Sequence, residues 1–120
     1  MIYCRLSVSA EKVKYSTACP GATVELPCHT AASYYVDWRR LQTLNSDHDY
    51  IYSLGHITAE FRSRFSVETS DTGDVFMYTL VIADAQLNDS VYYLCWEDAG
   101  LGNRHFYHLN VTGRLGGTGA

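Results

Sequence analysis

The side chains with the widest chemical capacity in this chain are its five histidines, its four cysteines and its thirteen acidic residues. A zinc site needs three or four nitrogen or sulfur ligands brought to one point. His105 and His108 lie three apart in a run that reads as a strand, which sets them on opposite faces. His29, His48 and His56 fall in or near loops without ligand spacing. Asp71 and Asp74 flank Thr72-Gly73 but supply too few oxygens for a calcium loop. No nucleophile, histidine and carboxylate can be set together on one rigid end of the molecule. The expectation is a non-enzymatic chain with no metal and no cofactor.

The elements that would position any site are strands. The chain holds ten Tyr, four Phe and two Trp, a mix that favours extended structure. Alternating apolar and polar residues mark strands at 5–9, 13–15, 23–28, 34–41, 49–54, 64–69, 75–82, 91–97 and 105–112. Asp71-Thr72-Gly73-Asp74 reads as a hairpin turn. Residues 83–88 are too few for more than one helical turn. Nine short strands with turns every 8 to 12 residues predict an all-β antiparallel sandwich.

At 120 residues the chain is one domain by length. Hydrophobic residues make up 47% and charged ones 18%, which argues against disorder. A net charge of -4 without a basic block gives nucleic acid or an acidic membrane surface nothing to grip. No apolar run approaches the ~20 residues that span a bilayer, so no direct membrane insertion is expected of it. Four cysteines indicate an oxidising, extracellular setting, either secreted or the ectodomain of a membrane protein. Met1-Ile2-Tyr3-Cys4-Arg5 lacks the basic leader and long apolar segment of a signal peptide. Residues 113–120, rich in glycine, read as a flexible tail or linker after a domain at 1–112.

Cys28 precedes Trp38 by 10 residues and Cys95 by 67, the spacing of a sandwich core. A bond closing so long a loop would stabilise the fold by about 4 kcal/mol in the chain-entropy model. Cys4 and Cys19 leave alternatives open: a symmetric hairpin around residues 10–12 would set them opposite each other, and otherwise they are free thiols or a link to another chain.

Asp89-Ser90-Val91-Tyr92-Tyr93-Leu94-Cys95 matches an Asp-x-x-x-Tyr-x-Cys signature, and Arg64-Phe65-Ser66, Leu80-x-Ile82, Ala85 and Gly21 keep register with it. On these residues the sequence resembles the variable-type (V-set) domains of the immunoglobulin superfamily. The resemblance implies a Greek-key sandwich of two sheets, a Cys28–Cys95 disulfide, Trp38 packed beside it, Tyr93 as the tyrosine corner and an Arg64–Asp89 salt bridge. The 25 residues between Trp38 and Arg64 leave room for the extra C′ and C″ strands, with Tyr50, Ile51 and Tyr52 in the first. In the usual V-set topology the first strand is split between both sheets, which would keep Cys4 and Cys19 apart. Two features depart from antigen-receptor variable domains. His105-Phe106-Tyr107-His108-Leu109 stands where they carry Phe-Gly-x-Gly, and Leu41 stands where they carry a pairing Gln. A smooth last strand is therefore expected.

Strand alternation sets Tyr35, Asp37, Arg39 and Leu41 outward on strand C, and Tyr92, Leu94 and Trp96 outward on F. Phe106, His108 and Asn110 follow on G, with Tyr50 and Tyr52 sharing the same face of C′. Leu41, Leu94, Trp96 and Phe106 would then form an exposed apolar cluster, the mark of an interaction site. The candidate interface is Tyr35, Arg39, Leu41, Tyr50, Tyr52, Leu94, Trp96, Phe106 and His108. A protein partner is expected, and a homodimer is the simplest, because one patch serves both copies; a heterodimer or a cell-to-cell adhesion contact uses the same surface. The second candidate is the loop end, where Glu97, Asp98 and Arg104 could bind a glycan or microbial ligand. Asn88-Asp89-Ser90 and Asn110-Val111-Thr112 are candidate glycosylation sites at Asn88 and Asn110.

Overall fold

The computed structural model describes residues 6–9, 13–30, 36–97 and 102–112. Eleven strands run in the order β1 (Leu6–Ser9), β2 (Val13–Ala18), β3 (Val24–Leu26), β4 (His29–Thr30), β5 (Val36–Leu41) and β6 (His48–Ser53). They continue with β7 (His56–Ile57), β8 (Phe65–Asp71), β9 (Phe76–Ile82), β10 (Tyr92–Glu97) and β11 (Arg104–Val111), with 3-10 turns at Ala59–Phe61 and Leu87–Asp89. The large sheet has the order β1-β2-β11-β10-β5-β6-β7; in the small one β3 and β4 pair with one side of β9, and β8 pairs with β9 as well. An all-β sandwich of two sheets results, as the strand pattern predicts.

Two strands exceed the expected nine. The run at 23–28 yields β3 alone, and a further short strand, β4, follows beyond Pro27, which has no N–H to give to the ladder. β7 is a two-residue return against β6. The turn after β8 has its expected chemistry. The Gly73 N–H donates to Asp71 Oδ1 at 2.6 Å, the Thr72 N–H donates to the Val75 carbonyl, and Gly73 sits at φ +96°, where a side chain would be strained.

The chain start departs from the usual V-set topology. β1 and β2 form an antiparallel hairpin, Leu6 opposite Thr17 and Ser9 opposite Lys14, wholly within the large sheet. β2 then lies parallel to β11. This is the symmetric arrangement around residues 10–12. Cys19 is disulfide-bonded, and Cys4 lies outside the described residues.

Between the sheets Cys28 and Cys95 are bonded with Cα atoms 6.4 Å apart, and Trp38 beside them is fully buried. Trp38 donates its indole N–H to the Tyr78 carbonyl at 3.1 Å, which ties β5 to β9 across the sandwich. Leu26, Ile51, Leu80, Ile82 and Leu109 close the core around it. Tyr107, inward on β11, has its hydroxyl on the Pro27 carbonyl, and burial pushes that phenol up to about 12. β11 runs eight residues in register with β10 and β2, the smooth last strand expected without a glycine pair.

Candidate functional site

The base of the sandwich is held by one carboxylate. Asp89 is fully buried and accepts from Arg64 at 2.8 and 3.0 Å, from Arg40 at 3.3 Å and from the Gln86 N–H at 2.8 Å. Burial alone would raise its pKa; the Arg64 hydrogen bonds, the Gln86 N–H and the charges of Arg64 and Arg40 outweigh it and hold the group below its usual value. Tyr93 donates its hydroxyl to the Asp89 carbonyl at 2.8 Å. Burial raises the phenol of Tyr93 well above its usual range. The Arg64–Asp89 contact follows the family pattern. Arg40 does not, and its only sequence signal is that Arg39 facing outward turns Arg40 inward.

The outer face of β11, β10, β5 and β6 carries the candidate interface, but its chemistry differs from the expected apolar cluster. Leu41 and Leu94 are 1% and 0% exposed, so neither can touch a partner. Their register neighbours explain this. Leu94 stands between Arg39 and Phe106, and Leu41 between Tyr92 and His48, long or ringed side chains that reach over a smaller one between them. What remains on top is a stack of rings and guanidinium groups. Arg39 lies 4.4 Å from the Tyr50 ring and 4.6 Å from the Trp96 ring, and Arg104 lies 5.2 Å from Trp96 and 5.8 Å from Phe106. Four adjacent strands thus contribute to one cation–π ladder.

Arg39 is also held at its polar end. It donates to Asp37 Oδ2 and contacts His48 Nδ1, both at 3.1 Å. Burial first, then the Arg39 charge, lowers the pKa of His48, which leaves Nδ1 free to accept. Among the described residues the buried Arg39 Nε has no hydrogen-bond partner, a state that costs about 1–3 kcal/mol for such a donor. Lower on the same face His108 lies 4.6 Å from the Tyr92 ring and 5.8 Å from Tyr15, and burial lowers its pKa.

One more interface residue moves. A bulge between Trp38 and Arg39 sets Arg39 opposite Tyr50 but Trp38 opposite Tyr52. Tyr50 therefore stays outward at 44% exposure, whereas Tyr52 turns in against the core. Tyr35 lies outside the described residues. Of the nine candidates, Tyr50, Trp96, Phe106 and His108 share the outer face with some exposure, and Arg39 is buried beneath them.

The loop candidate comes apart. Glu97 turns inward, accepting from Thr30 Oγ1 at 2.7 Å and meeting His105 Nε2 at 2.5 Å, and Arg104 is committed to the ladder. Asp98 lies outside the described residues. Trp96 donates its indole N–H to the Gly102 carbonyl, and a Cβ on Gly102 would stand 3.0 Å from the Glu97 Cβ, so a side chain there would require its neighbour to give by a few tenths of an ångström. Asn88 and Asn110 are both exposed; strand placement does not hide the second. Among the described residues no group of three or more His, Cys, Asp or Glu side chains could hold a metal ion, and no helix is long and apolar enough to cross a membrane.

No curated protein matches the sequence. Among solved structures, one from photo-crosslinking analyses of multimeric cell-adhesive interactions of VGSC beta subunits aligns at a TM-score of 0.67 with 20% identity, over 91% of this chain and 99% of that one. The second domain of the mouse polymeric immunoglobulin receptor aligns at 0.65 with 17% identity, over 84% and 95%. The first domain of the same receptor aligns at 0.60 with 20% identity, over 78% and 85%. At these identities the likeness is one of fold. The family model that matches, over residues 11–112, is the immunoglobulin V-set domain. The chain belongs to the immunoglobulin V-set family and is an extracellular, non-enzymatic recognition domain.

Proposed function

We propose that this domain pairs with a second copy of itself through the outer face of β11, β10, β5 and β6, as part of a receptor or adhesion protein. The observation that carries the reading is the Tyr50–Arg39–Trp96–Arg104–Phe106 ladder at the centre of that face. Trp, Tyr and Arg are the side chains that anchor protein interfaces, because each offers a large rigid area with a polar end. A two-fold axis is the simplest way to present such a face to itself. The solved VGSC beta subunit structure comes from work on multimeric cell-adhesive interactions, a context in keeping with this reading.

Sedimentation equilibrium tests it. The domain is expected to approach twice its monomer mass as concentration rises, and Trp96→Asp or Tyr50→Asp is expected to leave a folded monomer. A wild-type domain that stays monomeric to roughly 0.5 mM, a regime that still detects weak pairing, refutes it. Leu94→Asp is unsuitable as a probe, because a charge at a fully buried position tests folding instead.

A further inference from the structure

Where the sheets part at the β6–β8–β9 corner, a cleft of about 540 Å³ is lined by Tyr52, Thr69, Ser70, Asp71, Phe76 and Tyr78. Strand alternation builds it. On β8 the face that buries Phe65 and Val67 continues into Thr69 and Asp71, and on β9 the face of Ile82 and Leu80 continues into Tyr78 and Phe76. These pairs lie directly opposite each other in register, Thr69 with Tyr78 and Asp71 with Phe76. Tyr52 enters from the other sheet because the bulge after Trp38 turns it inward.

The cleft is held in shape at two points. Trp38 bonds the Tyr78 carbonyl and the Gly73 N–H bonds Asp71 Oδ1, which fixes the β9 backbone and the carboxylate at the rim. Burial, with the neighbouring Tyr78, raises the pKa of Tyr52, so the wall it forms is a neutral phenol. Among the described lining residues Asp71 is the one charged side chain, and no Lys or Arg lies between residues 68 and 76. An anion would be repelled. A purely apolar guest would strip water from Asp71 and return nothing. A cation with an apolar skin satisfies both demands: the carboxylate takes the charge and the three rings take the methyl groups through their negative faces.

We propose that this cleft binds a small organic cation of the quaternary-ammonium class. The site lies between the sheets and is independent of the pairing face. The test is an NMR titration of the folded domain with choline, with its uncharged isostere 3,3-dimethyl-1-butanol and with methyl glucoside. Choline is expected to shift the ring signals of Tyr52, Phe76 and Tyr78 and to bind at least about tenfold tighter than the isostere. Asp71→Asn is expected to erase that tenfold preference while leaving the isostere unaffected, and Phe76→Leu, which keeps apolar bulk without a ring, is expected to weaken choline alone. Equal binding of choline and isostere, tighter binding of methyl glucoside, or no shift at roughly 50 mM choline each overturns the proposal.

Discussion

Arg39 and Arg40 are consecutive on β5 and point to opposite sides of the large sheet. Arg40 reaches the Asp89 carboxylate, which already holds Arg64 and the Gln86 N–H, so that one buried carboxylate is shared by two partly covered guanidinium groups at the base of the sandwich. Arg39 lies between two aromatic rings, shares Asp37 and His48, and keeps one buried donor unsatisfied. The first cluster is closed and serves the fold. The second lies beneath Tyr50, Trp96 and Phe106, rings still open to solvent on an outer face, and that openness separates a recognition surface from a buttress.

The sharpest way to break this comparison is to remove the shared carboxylate at the base. Asp89→Ala leaves two arginines around an emptied site and is expected to destabilise the domain by about 3–5 kcal/mol in urea unfolding, the range for breaking a buried ion pair. Trp96→Ser on the outer face, by contrast, is expected to abolish pairing while changing monomer stability far less. Next come the twin arginines. Arg40→Met should lower stability by about 1–3 kcal/mol, because it removes charged hydrogen bonds to Asp89 and the Asn88 carbonyl. Arg39→Met leaves the buried Asp37 carboxylate without its cation, so monomer stability should fall by an amount comparable to Arg40→Met, but self-association should be lost only in the Arg39 variant. Equal loss of self-association in the two would erase the distinction.

Acid separates the clusters further. His48 has its pKa lowered by folding, so the unfolded chain takes the proton first. The stability it contributes is present above about pH 6.5 and falls as pH drops from there through the folded value. Asp89 is also lowered, and its contribution holds above about pH 3.8 and is lost as pH falls through its folded value. Two declines are expected in unfolding measured against pH, a small upper one belonging to the face and a larger lower one belonging to the base. His48→Gln should remove its share of the upper decline and leave the lower in place; loss of both together would show the clusters to be one unit.

Much of this fold is legible in the sequence because its markers obey a period of two. Cys28, Trp38, Tyr93 and Cys95 must point inward, and Arg64 with Asp89 must close the base. The face is less legible, since outward is not the same as exposed. Leu41 and Leu94 point away from the core yet vanish beneath longer neighbours, an effect of cross-strand reach that alternation does not contain. Tyr52 is misplaced by a single bulge, and no residue type announces it. Glu97 reads as a loop ligand because its captors Thr30 and His105 are far from it or on the returning strand. The cleft at β6–β8–β9 goes unseen for the same reason, as it joins one misread tyrosine to two strands whose faces are polar at their ends.

The hairpin of β1 and β2 also fixes which way up the domain stands. Because β1 doubles back, Leu6 lies beside Thr17, which lies beside Asn110 on β11, so both ends of the described chain leave from the pole of the Leu87–Asp89 turn. The Thr72-Gly73 turn, Gly102 and the mouth of the cleft occupy the other pole. An attachment at either end would present the same pole outward, and in a neighbouring copy held the same way the ladders would stand at equal height.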